Sequence, residues 1–141
     1  MPQYDIFISH ASKDKEAYVE KLKLSIEAAG ISVFYDEDSI AWGDCIREKI
    51  DEGLANCKYA VVVISKNYFG RSWTEYELKM LLERQNQENS KIILPILHKV
   101  SKRNLVKHYP ILENIKFLYS KSCKISEIVE KIQMKLNCNN K

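Results

Sequence analysis

Short apolar runs alternate with longer stretches in which apolar residues recur every three or four positions, and this alternation repeats along the chain. Tyr4-Asp5-Ile6-Phe7-Ile8 has the length and the β-branched and aromatic content of a strand. Ile31 to Tyr35, Tyr59 to Ser65, Lys91 to Leu97 and Ile115 to Tyr119 read the same way. Between these runs, Tyr18, Leu22, Ile26 and Ala29 recur at helical spacing, as do Ile46, Ile50 and Leu54, the stretch from Trp73 to about Gln87, and Ile128, Ile132 and Leu136. Ser12 and Asp14 are start signals for the first helix and Gly30 is its stop. Pro110 denies the irregular stretch before the fifth strand a long helix. Asn137-Cys138-Asn139-Asn140-Lys141 reads as a frayed end, so a single domain is expected over 1–136 with a flexible tail at 137–141.

Strands that alternate with helices imply a parallel sheet, because each crossover must bring the chain back to run in the same direction. The expected fold class is α/β: a flavodoxin-like three-layer sandwich, its five-stranded parallel sheet in the order 2-1-3-4-5 with helices on both faces. Tyr59 to Ser65 is apolar almost throughout and is expected at the sheet centre. Ligands of such folds sit beyond the carboxyl ends of the strands at the switch point beside strand one, where the loops Ser9 to Asp14, Asp36 to Asp44 and Ser65 to Ser72 converge.

The 141 residues suit one core. The charge of +3 arises from 22 basic and 19 acidic residues scattered along the chain, without the concentrated basic stripe of a nucleic-acid binder. The longest apolar runs are too short to span a bilayer and no charged and apolar leader precedes Tyr4, so no membrane partner and a cytoplasmic location are expected. Cys45, Cys57, Cys123 and Cys138 lack paired spacing and read as reduced thiols, with Cys57 a small buried residue. Gly30, Gly43, Gly53 and Gly70 are isolated, which argues against a phosphate-cradling loop. His10, His98 and His108 lack ligand spacing, so no metal is expected, and no serine elbow or cysteine and histidine couple offers a nucleophile.

The strongest chemical signal is Ser72-Trp73-Thr74-Glu75-Tyr76-Glu77-Leu78. Ser72 and Glu75 have capping-box spacing, which makes Trp73 the first helical residue. Trp73 and Glu77, four apart, then share a face near the helix amino end, where unpaired amides carry partial positive charge. The bland alternatives are a core tryptophan pinning the helix to the sheet and a solvated glutamate paired with Lys79 or Arg84. For Trp42 the alternatives are a loop anchor and an interface or ligand role.

In order and spacing, Tyr4-Asp5-Ile6-Phe7-Ile8-Ser9-His10, Phe34-Tyr35-Asp36 leading to Ile40-Ala41-Trp42-Gly43-Asp44, Val63-Ile64-Ser65, and Trp73 with Glu77-Leu78 resemble the Toll/interleukin-1 receptor (TIR) domain family. The resemblance covers nearly the whole chain. Ser9-His10-Ala11-Ser12-Lys13-Asp14 and Leu94-Pro95-Ile96-Leu97-His98-Lys99-Val100 look most like bacterial members, several of which act in anti-phage defence. The resemblance implies an NAD+ nucleosidase that splits nicotinamide from the ribose and releases linear or cyclic ADP-ribose as a signalling nucleotide for a downstream effector. The alternative it implies is a non-catalytic scaffold acting through homotypic TIR contacts. In the enzymatic branch Glu77, four residues after Trp73, is the catalytic carboxylate, and NAD+ is the substrate with no further cofactor. Substrate contacts are expected from Trp73, Ser9, His10, Ser12, Asp36 and Trp42. Where members often place arginine soon after the first strand, this chain has Ala11 and Ser12, with Lys13 as a substitute cation. The loop carrying Asp36, Ile40, Trp42, Gly43 and Asp44 corresponds to the family's self-association loop, which implies a homo-oligomer. A phosphoacceptor receiver is set aside, since Val63-Ile64-Ser65-Lys66 lacks the central aspartate.

Overall fold

The structure, a computed structural model, describes residues 4–11, 18–35, 41–68, 72–89, 91–113 and 115–139. Ser12, Asp36 and Ile40 lie outside the described residues, as do the side chains of Ser72, Trp73 and Thr74. The elements run Tyr4–Ser9 (β1), Glu20–Ala28 (α1), Val33–Phe34 (β2), Ile46–Asn56 (α2), Cys57–Ile64 (β3), Ser72–Glu88 (α3), Ile93–Leu97 (β4), Lys102–His108 (α4), Leu118–Tyr119 (β5) and Ile125–Asn139 (α5). All strand pairs are parallel, in the order β2-β1-β3-β4-β5, as expected. In register, Ser9 at the end of β1 stands opposite Val62, and Ile64 at the end of β3 opposite Leu97.

Alternation along the strands divides the core in two. Ile6, Ile8, Val61 and Val63 pack against Leu22 and Ile26 of α1 and Ile128, Ile132 and Leu136 of α5. Phe7, Ala60, Val62 and Ile64 pack on the other face, against Ile50 and Leu54 of α2 and Leu78 and Leu81 of α3. The central strand is therefore covered on both faces, which is why β3 reads as an unbroken apolar run. Phe34 and Tyr35 turn to opposite faces as strand neighbours must, and because helices cover both sides, both are buried.

Several boundaries differ from the sequence expectation. β2 and β5 are two residues long, because pairing to the neighbouring strand is confined to Val33–Phe34 and Leu118–Tyr119. The stretch before β5 holds a helix the apolar pattern does not announce: Ser101 caps α4 by accepting from the Asn104 amide at 3.2 Å, and Leu105 is its one buried residue. A 3-10 turn with Pro110 in its first position follows. α5 continues through Asn139, three residues into the expected tail.

Gly53 fixes how closely α2 approaches the sheet. A Cβ there would sit 2.9 Å from Cγ and Cδ2 of Phe34, whose ring stacks on Phe7 at 5.0 Å and 8°. Gly53→Ala should therefore lose stability despite the better helix former, by about 1 kcal/mol net, since overpacking costs ~1–3 kcal/mol and the helix preference returns ~1 kcal/mol. Urea unfolding checks this; an unchanged or higher midpoint would show that the contact relaxes freely.

Candidate functional site

Glu77 lies in the second turn of α3 and is 3 % exposed. The solvated reading of this residue is thereby excluded, and Arg84, its suggested partner, instead binds Glu88 at 2.6 Å and the Leu54 carbonyl at 2.8 Å. A carboxylate buried this far is costly unless hydrogen bonds replace its water. Ser9, the last residue of β1, donates its hydroxyl to Glu77 Oε1 at 2.7 Å, and the same Oγ lies 2.8 Å from the hydroxyl of Tyr68. Ser9 and Tyr68 are both fully buried.

Three elements bring these groups together. β1 ends at Ser9, which alternation places on the α2 and α3 face, the same face as Phe7. After β3 a tight turn follows: the Tyr68 amide donates to the Ser65 carbonyl at 3.0 Å, and the Asn67 amide donates to Ser65 Oγ at 3.1 Å. This turn brings Tyr68 into the core against Leu78 and Leu81 of α3. The rotation of α3 is held from α2, where the Tyr76 hydroxyl donates to Asp51 Oδ1 at 2.5 Å and the Arg47 guanidinium lies 4.9 Å over the Tyr76 ring. At the far end of the helix Arg84 also reaches Cys57 Sγ at 3.3 Å.

Among the described residues, the charges that act on the two phenols beside the site are those of Glu77 and Glu75. Burial raises Tyr68 well above the ordinary tyrosine value, and the nearby Glu77 charge raises it further. Tyr109 is pushed up to about 12 by burial, with Glu75 adding to the rise. Both phenols therefore stay protonated at neutral pH, and Tyr68 is a permanent donor beside the carboxylate.

Of the residues the sequence puts forward, the structure brings Ser9 to Glu77. His10 follows Ser9 directly, so alternation turns it to the opposite face, where its ring stacks on Tyr35 at 5.2 Å and 4°. Trp42 is fully exposed, at 106 %. It occupies a turn closed by the Asp44 amide donating to the Ala41 carbonyl at 3.0 Å, with Asp44 Oδ2 accepting from the Ala41 amide at 2.8 Å. Gly43 has φ of +96°, which a glycine at the third position of a type II turn supplies without strain. Thus the loop-anchor reading of Trp42 is excluded. Ser12, Asp36, Ile40 and the Trp73 ring lie outside the described residues. Tyr68 is the site residue that the sequence pattern does not single out. A signal for it exists, since an aromatic residue four positions past the end of a buried strand lies close enough to bury its ring near the strand's carboxyl end.

The other candidates resolve as structural. His98 is buried, with Nδ1 2.8 Å from Ser120 Oγ and its ring stacked on Tyr18 at 4.6 Å. All four cysteines are free, and Cys57 is buried as expected. Among the described residues no group of three or more potential ligands could hold a metal ion, and no helix is long and apolar enough to cross a membrane.

Among the described residues, this doubly wound α/β domain carries one buried carboxylate at its switch point, held where β1, the β3 turn and α3 meet. The particular family follows from comparison: the TIR-domain family model matches residues 6–124, and the chain belongs to that family. It is 41 % identical over 131 residues to the 2′ cyclic ADP-D-ribose synthase AbTIR of Acinetobacter baumannii, covering 93 % of this chain and 48 % of that protein. Against the NAD(+) hydrolase PdTIR of Paracoccus denitrificans it is 40 % identical over 129 residues, covering 91 % and 42 %. The chain thus spans about half the length of the curated relatives it matches. Among solved structures, the TIR domain of the Toll-related receptor TRR-2 of Hydra magnipapillata superposes with a TM-score of 0.74 at 21 % identity, covering 94 % of this chain and 97 % of that one. The TIR domains of the activated Roq1 resistosome superpose with a TM-score of 0.75 at 19 % identity, covering 95 % and 99 %. These two likenesses show the fold.

Proposed function

We propose that this domain is an NAD+ nucleosidase that breaks the bond between nicotinamide and ribose, with Glu77 as the catalytic carboxylate. The observation that carries the reading is a glutamate buried at the switch point and held by hydrogen bond from the strand-one end, where a scaffold has no need of a buried charge. Two relatives with about two residues in five identical bear the names of an NAD(+) hydrolase and a cyclic ADP-ribose synthase, which supports the same substrate. Cleavage develops oxocarbenium character on the ribose, while nicotinamide, cationic in NAD+, leaves as a neutral molecule without needing a general acid. A fixed carboxylate facing the developing charge supplies the stabilisation, and its oxygens can hold the ribose hydroxyls. Capture of the ribosyl centre by water gives linear ADP-ribose, and capture by a hydroxyl of the same molecule gives a cyclic product; in either case the O–H bond of the attacking group breaks and its proton is released to solvent. NAD+ is consumed as the substrate, and the reading invokes no other cofactor. Trp73 orients the nicotinamide in this scheme, and Ser12 and Asp36 serve the phosphates and ribose. The wider reading is a cytoplasmic signal in bacterial defence, passed to an effector that senses the nucleotide; the four free thiols are in keeping with that compartment.

Self-association forms part of the same reading. Trp42 is fully exposed, Ile46 beside it is 53 % exposed, and Asp36, Glu37, Asp38 and Asp44 make this stretch of sequence acidic. Elsewhere, where α5 leaves β4 and β5 partly uncovered, Leu94, Leu118 and Met134 line a groove of about 900 Å³. Lys91, Lys116, Lys131 and Lys135 stand around it, and none of them is in an ion pair among the described residues. An acidic loop with an exposed indole on one copy and an apolar groove ringed by lysines on the next are complementary in charge and polarity, and such a head-to-tail contact propagates. Incubation of the purified domain with NAD+, with chromatographic separation of nicotinamide, linear ADP-ribose and cyclic product, tests the activity. Nicotinamide release that rises with protein concentration more steeply than linearly is expected; an absence of release at high concentration, with the domain assembled, would contradict the assignment.

A further inference from the structure

We infer that Tyr68 is a positioning residue for Glu77, acting through the hydroxyl of Ser9, and that Ser9 serves the carboxylate rather than the substrate. The inference rests on the nucleosidase reading for its kinetic consequences and on geometry alone for the relay itself. A serine hydroxyl has one proton. In the Ser9 side chain that proton points to Glu77 Oε1 at 2.7 Å, so the contact of 2.8 Å with Tyr68 must be one in which the phenol donates and Ser9 accepts. The chain of donors runs one way, from Tyr68 to Ser9 to Glu77. These two are the only hydrogen bonds of the Ser9 side chain among the described residues, and the residue is fully buried, which leaves it no proton to offer a ribose or phosphate.

The direction has consequences. A donor that is itself hydrogen-bonded by another donor is polarised, and its bond to a carboxylate is strengthened. Donation to the charged form favours that form, so the relay acts for the Glu77 anion, against the opposing effect of burial, and fixes one of its oxygens. Tyr68 suits the outer place because burial and the Glu77 charge keep its own proton in place. Among the described residues, the charged and titratable groups facing the relay are Glu77 and Glu75 from α3 and Tyr109 from the segment after α4. Tyr68 sits in the turn directly after β3 and Ser9 at the end of β1, so the relay also locks the two central strands to α3 at the switch point.

The test uses Tyr68→Phe, which keeps the ring and its packing and removes only the hydroxyl, together with Ser9→Ala and the double variant. For Tyr68→Phe, kcat for nicotinamide release should fall about tenfold with KM within about twofold, as for a group that positions charge for the transition state. The acid limb of kcat against pH should move to higher pH, by about one unit in Ser9→Ala and less in Tyr68→Phe. Because Tyr68 acts only through Ser9, adding Tyr68→Phe to Ser9→Ala should cost little more, whereas independent roles would multiply. An activity-free arm follows the titration of Glu77 by NMR in protein labelled at the glutamate carboxyl carbon, assigned with Glu77→Gln. It should report upward displacements that match the kinetic ones, larger in Ser9→Ala than in Tyr68→Phe. Multiplicative kinetic losses, or a Glu77 titration unmoved in both variants while urea unfolding shows them folded, would overturn the relay. If the parent releases no nicotinamide yet the titration moves as stated, the relay stands and the nucleosidase reading is what fails.

Discussion

Glu77→Gln is expected to lower kcat for nicotinamide release by about 10²- to 10³-fold, the range seen when a preorganised electrostatic group is removed from a transition state. Glutamine keeps the length of the side chain, and its amide oxygen can still accept from Ser9, so the substitution removes charge and little else. KM should change by no more than a few fold, because the glutamine oxygen can still hold a ribose hydroxyl, while the charge removed matters most as the ribose becomes cationic. Stability should hold or rise, since a buried charge is exchanged for a neutral amide. A fall in activity without a fall in unfolding midpoint is the signature of a functional residue, whereas a fall in both would make Glu77 a structural one. Steady-state kinetics and urea unfolding on the same preparation separate the two outcomes.

The second large effect concerns assembly. Trp42→Ala should weaken self-association by about 30-fold or more, because aromatic anchors at the centre of an interface commonly carry ~2 kcal/mol or more. The indole contributes nothing to the fold of the single copy, being fully exposed on a turn that Gly43 and Asp44 maintain, so unfolding should be unaffected. If the site is completed by a neighbouring copy, activity per molecule falls with assembly and recovers at higher protein concentration. Charge reversal in the groove, Lys131→Glu with Lys135→Glu, should have the same effect from the other side. Sedimentation across a concentration series reads both variants; full activity in strictly monomeric protein would rule out the composite version.

The sheet order and both layers of helices are legible in the sequence because the strands are apolar in short runs and the helices repeat at their own period. β3 is the clearest, since burial on both faces leaves no polar position from Tyr59 to Ile64. Less can be read where the determinants are not periodic. α4 has a single buried residue, Leu105, and its start rests on one cap at Ser101, too little for a pattern to reveal. β2 and β5 are shortened by where the neighbouring strand offers partners, a tertiary property. In the site, Glu77 stands out because its spacing from Trp73 and its place near a helix start are local features. Tyr68 does not, because its contact with Ser9 spans 59 positions and its own neighbours, Asn67 and Phe69, look like an ordinary loop. Alternation, which the sequence already contains, separates Ser9 from His10: Ser9 reaches α3, while the His10 ring stacks on Tyr35 on the other face.

In the proposed reaction the Glu77 carboxylate meets the ribose that loses nicotinamide. A structure of the domain, in its assembled form, with an NAD+ analogue whose nicotinamide link cannot break tests this most directly. The nicotinamide-bearing ribose is expected beyond the carboxyl ends of β1 and β3, with a hydroxyl within hydrogen-bond reach of Glu77 at about 3 Å and the Ser9 bond intact. An analogue bound elsewhere, with Glu77 still enclosed by the protein, would contradict it.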